Sequence, residues 1–228
     1  VIGEGSVETL WTYGNYNETF PFTVAYSYGV SQDLVEQFDA KDLRGQNIYF
    51  QTLPSVFAAI LPMLTDVAKW YSYTNRPGGS GTLTSFTACA FRSSEAYLNR
   101  AEAYAQKYIQ TGDAAYEQKA LGNLNTLRAK RFTPADFQPL GIMPADSLLQ
   151  FCRNERRREL CFEGQRWFDL RRYGMPAIEH SYGAVKGQTQ TYTLQAHDPQ
   201  YTLQIPPTAI ELNQNLAQNP AGPERVAN

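Results

Sequence analysis

The sequence predicts a mainly α-helical fold, with one tetratricopeptide-like helical hairpin, long loops and a few short strands. Two observations carry this. Apolar and small residues recur at spacings of three and four over residues 89–131, broken once at Thr111-Gly112-Asp113. A second helical run covers 146–172, and the stretches around these runs are rich in Gly, Pro, Asn and Tyr.

Residues 1–30 read as loops with one or two short strands, since Val7–Tyr13 alternates weakly and Thr23–Tyr28 has β character. Residues 31–45 read as a short helix with Ser31 as N-cap and Leu34, Val35 and Phe38 on one face. Ile48–Phe50 reads as a short strand, and Asn75–Gly81 as a loop. Helical spacing then holds from about Cys89 to Gln110 through Ser94, Tyr97, Leu98, Ala101, Tyr104, Ala105 and Tyr108. Ala101 and Ala105 are small enough to let a neighbouring helix approach. Gly112 suits a left-handed helix end, and Asp113 suits the cap of a helix running to about Arg131. After a Pro-containing loop, a helix is predicted from Asp146 to Leu160, a turn at Gly164, and a shorter helix to Arg172. Tyr192–Leu194 and Tyr201–Leu203 look β-like, and Thr208 is placed as the cap of a helix ending near Leu212. A lone hairpin cannot cover its open face, so neighbouring repeats are expected upstream of Val1.

Composition narrows the function classes. At 228 residues and 43% hydrophobic content, the chain can build a core and is not of disordered type. The net charge of −2 gives no general attraction to nucleic acid or to an anionic membrane. No apolar run reaches the roughly 20 residues that span a bilayer; the longest, Val56–Leu64, contains Pro62. No signal peptide stands at Val1, and the chain opens inside patterned sequence, so a preceding segment is expected. Cys89, Cys152 and Cys161 are odd in number and lack CxxC spacing, which points to buried small hydrophobes rather than disulfides or zinc.

The densest charged segment, FCRNERRRELCFEGQRWFDLRRYG at 151–174, interleaves Glu155, Glu159, Glu163 and Asp169 with arginines. A nucleic-acid patch would not carry so many carboxylates at helical spacing. We read a structural ion-pair network that clamps this helix onto the hairpin, with Glu155, Arg156, Glu159 and Arg166 largely buried and mutually paired or bonded to backbone. Glu163 and Asp169 are the carboxylates a glycosidase would need by type, but each has an arginine nearby in sequence whose pairing would spoil a general acid. No nucleophile elbow, phosphate loop or HExxH is present, and His180 and His197 stand apart in loops. No catalytic residue, metal or cofactor is assigned.

Tyrosine is the compositional outlier, with 15 copies beside 12 Phe and 3 Trp. Flat rings with polar tips suit ligands that are partly polar and partly apolar, sugars among them. Two loop clusters concentrate them: Trp11, Tyr13 and Tyr16 near the start, and Trp70, Tyr71 and Tyr73 beside Arg76 and the Gly-rich loop. These are the proposed ligand contacts; anchoring of the loops to the core weighs nearly evenly against that role.

Five segments carry a family resemblance: DLVEQFDAKDLRG at 33–45, FRSSEAYLNRAEAYAQ at 91–106, ALGNLNTLRAKRF at 120–132, LLQFCRNERRRELCFEGQRWFDLRRYG at 148–174 and YTLQIPPTAIELNQNLAQNP at 201–220. Together and in this order they resemble the C-terminal signature of the SusD/RagB family. The ending departs from it in reading QNPAG, where the family has Gly directly after Pro. The resemblance implies that residues 1–228 form the C-terminal domain, with the N-terminal half and its lipobox cysteine outside this chain. It implies a non-enzymatic lipoprotein on the extracellular face of the outer membrane, held by an N-terminal lipid anchor. It also implies a TonB-dependent, SusC-like transporter as partner and an oligosaccharide ligand. Capture of peptides by the same kind of importer and a helical-repeat protein scaffold are the competing readings. The matched motifs are structural in the family, so none of them hands over a ligand residue.

Overall fold

The structure, a computed structural model, describes residues 9–13, 31–45, 50–52, 65–67, 89–161, 163–185 and 188–224. These fall into two compact units that divide between Gly164 and Gln165. The fold is mainly α, as the periodicity predicts.

In the first unit, strand β1 (Thr9–Tyr13) is followed by a single helical turn, α1 (Gln32–Val35), and by strands β2 (Phe50–Thr52) and β3 (Thr65–Val67). Strand β4 (Cys89–Arg92) runs directly into α2 (Ser93–Thr111), which is joined to α3 (Ala114–Arg128) and then to α4 (Ala145–Glu159). Both ladders, β1 with β4 and β2 with β3, are antiparallel and two-stranded.

The α2–α3 hairpin follows its sequence cues. Gly112 sits at φ 69 and donates its N–H to the Tyr108 carbonyl at 2.8 Å. Asp113 then accepts from the Ala115 N–H at 2.8 Å, satisfying an otherwise unpaired donor of α3. Ala101, Ala105 and Ala120 are fully buried, and Leu98, Leu124, Leu148 and Cys152 fill the core between the three helices. The loop after α3 is tied back by side chains: Asn125 pairs with both backbone groups of Leu140, and Glu117 accepts from the Met143 N–H.

Two expectations are corrected here. Over 31–45 only Gln32–Val35 is helical, and the remainder is a series of turns closed by Asp39 and Asp42. The helix predicted from Cys89 begins at Ser93, because Cys89–Arg92 has a strand partner in β1. Of the strand placed at 48–50, Phe50 alone lies within the described residues, and it opens β2.

The second unit contains α5 (Arg166–Arg172), the antiparallel ribbon β5 (Ile178–Val185) with β6 (Gln188–Leu194), a 3-10 turn at Pro199–Tyr201 and α6 (Pro207–Leu212). Tyr201 is not a strand residue. Its ring is buried against Trp167, with centroids 4.9 Å apart, and its hydroxyl donates to the Pro176 carbonyl. Thr208 is not the cap of α6 either: Pro206 occupies that position and Pro207 is the first helical residue, where a missing N–H costs nothing. The IPP and QNP segments are zipped together by side chains. Gln218 bonds both the N–H and the carbonyl of Ile205, and Asn219 donates to the Leu203 carbonyl.

Candidate functional site

At the centre of the first unit is Glu159, the last residue of α4 and fully buried. Its Oε1 accepts from Arg92 Nη1 at 2.9 Å and Arg131 Nη2 at 2.8 Å. Its Oε2 accepts from Arg44 Nη1 at 2.8 Å and Arg131 Nε at 2.9 Å. A carboxylate offers about four lone-pair positions, so these four donors saturate it. Arg92 continues to Glu163, with Nε to Oε2 at 3.1 Å and Nη2 to Oε1 at 2.6 Å, and also donates to the Glu159 carbonyl at 3.0 Å. Arg44 grips both oxygens of Asp42, and its Nη2 stands 2.8 Å from Glu155 Oε1 in ion-pair contact without hydrogen-bond geometry. Arg158 holds the other oxygen of Glu155.

The electrostatics follow from this crowding. Burial alone would raise the pKa of Glu159, but the Arg131 hydrogen bonds and the charges of Arg44, Arg131 and Arg92 hold it well below the ordinary value. Glu155 is lowered in the same way, burial opposing and Arg44 and Arg158 prevailing. Burial disfavours the Arg44 cation, yet Glu155, Asp42 and Glu159 raise its pKa well above normal. All these groups are charged and spoken for, so the knot has nothing to offer a substrate. Cys152 is equally inert: burial, then Glu102, pushes its thiol up to about 12.

The knot differs from the network predicted for α4. Glu155 and Glu159 are buried and ion-paired, and so is Arg156. It reaches α2, donating to Asn99 Oδ1 at 2.8 Å and to Glu95 Oε1 at 3.2 Å. Arg166 is exposed and belongs to the second unit, because the helix ends at Glu159 and the chain turns through Gly164 at φ 72 before α5 starts. Sequence reasoning missed Arg44, Arg92 and Arg131 as the partners. The signal was present, since Asp42-x-Arg44, the residue leading into α2 and the turn that follows α3 all lie inside the family-like segments. Those segments, 28 to 115 residues apart in sequence, meet at this single carboxylate.

The proposed ligand residues fare differently. Trp11 and Tyr13 lie on β1, where the backbone register pairs them with Phe91 and Cys89 of β4. Tyr16, Trp70, Tyr71, Tyr73 and Arg76 lie outside the described residues. Elsewhere in the first unit an open concavity on α4 is lined by Asp146, Ser147, Gln150, Phe151 and Asn154. The ring of its one aromatic already carries the guanidinium groups of Arg128 and Arg158. The two carboxylates that resemble glycosidase residues by type are both engaged: Glu163 by Arg92, Asp169 by Arg172 at 2.9 Å. Among the described residues no group of His, Cys, Asp and Glu converges to hold a metal, and no helix is long and apolar enough to cross a membrane.

The SusD family model matches residues 8–221, and the chain belongs to that family. It is 25% identical to SusD-like protein P2 of Formosa agariphila over 208 residues, covering 84% of this chain and 39% of that protein. Two crystal structures share its fold. One is a SusD-like carbohydrate binding protein from Bacteroides vulgatus, 20% identical, with a TM-score of 0.55 and coverage of 84% of this chain and 41% of the other. The second is a SusD superfamily protein from Parabacteroides distasonis, 22% identical, with a TM-score of 0.55 and coverage of 83% and 41%. The chain thus spans about two fifths of the length of these relatives.

Proposed function

We propose that this chain is the C-terminal part of a surface glycan-binding subunit of an outer-membrane nutrient importer, which delivers oligosaccharides to a TonB-dependent, SusC-like transporter. The observation that carries the reading is family membership over nearly the whole chain. The carbohydrate-binding description of the Bacteroides vulgatus relative adds the ligand class. In this reading the protein stands on the extracellular face of the outer membrane, tethered by a lipid on a cysteine upstream of Val1. Binding proceeds without chemistry, since Glu163 and Asp169 are both occupied by arginines. Sugar contacts come from the aromatic clusters around Trp11, Tyr13 and Tyr16 and around Trp70, Tyr71, Tyr73 and Arg76, where rings can stack and polar neighbours can bond hydroxyls.

The test is calorimetric titration of the full-length protein with hexasaccharides of glucose, xylose, mannose and galacturonic acid, with short peptides run in parallel. Binding of at least one sugar, recovered intact after prolonged incubation, is expected. Binding of peptides alone would move the protein to peptide capture. Sugar turnover that disappears in Glu163→Gln or Asp169→Asn would make it an enzyme.

A further inference from the structure

We propose that the β5–β6 ribbon is a further sugar-contacting surface, on which Tyr192 and His180 form a platform for one ring of an uncharged oligosaccharide. The proposal rests on the glycan reading above and adds a subsite to it.

The ribbon is an arm closed at its base. The His197 N–H donates to the Met175 carbonyl at 2.9 Å where the chain leaves and returns. Tyr201 fastens the same base through its bond to the Pro176 carbonyl. Both closing residues take the left-handed conformation, at φ 52 and φ 57, which residues other than glycine seldom adopt. Between them the strands pair Ile178 with Leu194, Glu179 with Thr193, His180 with Tyr192 and Ser181 with Thr191. None of the ribbon side chains that are described is buried: those of Ile178, Tyr192 and Leu194 are half-buried, and those of His180 and Gln190 are exposed. Packing of a core therefore does not account for the rings this arm carries.

Residues directly opposite in antiparallel strands share a face, and the face alternates along each strand. Ile178 and His180 thus lie on one face with Gln190, Tyr192 and Leu194, while Glu179, Thr191 and Thr193 lie on the other. The bond from Tyr192 Oη to Gln190 Oε1, at 2.8 Å, agrees with that placing. Among the described residues the first face carries no carboxylate, lysine or arginine. A pyranose has an apolar C–H face and a rim of hydroxyls, so it is met by a flat ring beneath and hydrogen-bonding groups beside that ring. Tyr192 supplies the ring, and His180 stands directly across the ladder from it. The bond to Gln190 fixes the phenol. It leaves the Tyr192 oxygen able to accept and both Gln190 amide protons able to donate, and neither group has another partner among the described residues. A ring fixed before the ligand arrives loses less entropy on binding. An acidic sugar would find no counter-charge on this face, so the uncharged class is the one that fits.

The experiment is calorimetry and thermal melting of the full-length protein, for the parent, Tyr192→Ala and Gln190→Ala, with the hexasaccharides of glucose, xylose, mannose and galacturonic acid. The parent is expected to bind at least one of the three uncharged sugars. Tyr192→Ala should weaken that binding about tenfold and Gln190→Ala about threefold, the scale of a lost ring contact and of a lost hydrogen bond. Both variants should melt like the parent, since neither side chain is buried. Full affinity in Tyr192→Ala would overturn the inference and leave the glycan reading standing, and so would binding of the galacturonic acid sugar alone. No binding of any hexasaccharide by the parent would remove the glycan reading and the inference with it. If Tyr192→Ala does not fold, Gln190→Ala decides, and full affinity there overturns the inference.

Discussion

Glu159 bears a full negative charge with no exposed surface, and it tolerates this only because three guanidinium groups surround it. Removing one side of such a pairing leaves uncompensated charge in a low-dielectric interior, at a cost of about 3–5 kcal/mol. That is a large share of the roughly 5–15 kcal/mol by which domains are stable. Glu159→Ala should therefore lose cooperative melting or fail to accumulate; a melting temperature equal to the parent's would show the knot to be dispensable. Acid tests the same residues. Both Glu155 and Glu159 have pKa values lowered by folding from the ordinary 4.5. Below that value the unfolded chain binds more protons than the folded one, so their stabilisation, complete above it, is lost as the pH falls toward the lowered values. The melting temperature should fall with acidification below 4.5, and less steeply in Glu159→Gln if that variant folds. Equal slopes for parent and variant would contradict the assignment.

At the scale of elements, the hairpin offers two glycines with opposite consequences. Gly112 ends α2 at φ 69 with open space where a side chain would go, so Gly112→Ala carries only the backbone cost of the left-handed conformation, about 1 kcal/mol. Gly122 lies inside α3 and also has open space around its Cβ position, so Gly122→Ala should stabilise by up to about 1 kcal/mol. Denaturant melts of the two variants should move in opposite directions, and a shift of the same sign would mean that the turn is built differently. These helices were legible because their periodicity is long and their caps are local: Gly112 and Asp113 act as the sequence says. What was not legible depends on distant partners. Cys89–Arg92 carries no mark that separates it from the following helix, and it is a strand only because β1, some 80 residues earlier, lies beside it. Tyr201 fits a strand by alternation, yet Trp167 draws its ring into the core. Likewise the charges of α4 showed that a network exists, but not that Arg44, Arg92 and Arg131 complete it.

At the scale of the molecule, the family-like segments 33–45, 91–106, 120–132 and 148–174 each supply members of one buried knot: Asp42 and Arg44, Arg92, Arg131, and Glu155, Glu159 and Glu163. This explains why their resemblance identifies the fold and says nothing of the ligand. Specificity, in our account, belongs to the aromatic clusters around Trp11 and Trp70. The most direct measurement of that division is melting temperature and hexasaccharide affinity determined together for Trp11→Ala and Trp70→Ala in the full-length protein. Losing a stacking ring removes roughly 1–3 kcal/mol of contact at ~25 cal/mol per Å². The account predicts a roughly ten- to hundredfold loss of affinity with melting temperature nearly unchanged. Unchanged affinity with a large drop in melting temperature would contradict it, and would make these rings anchors of the core.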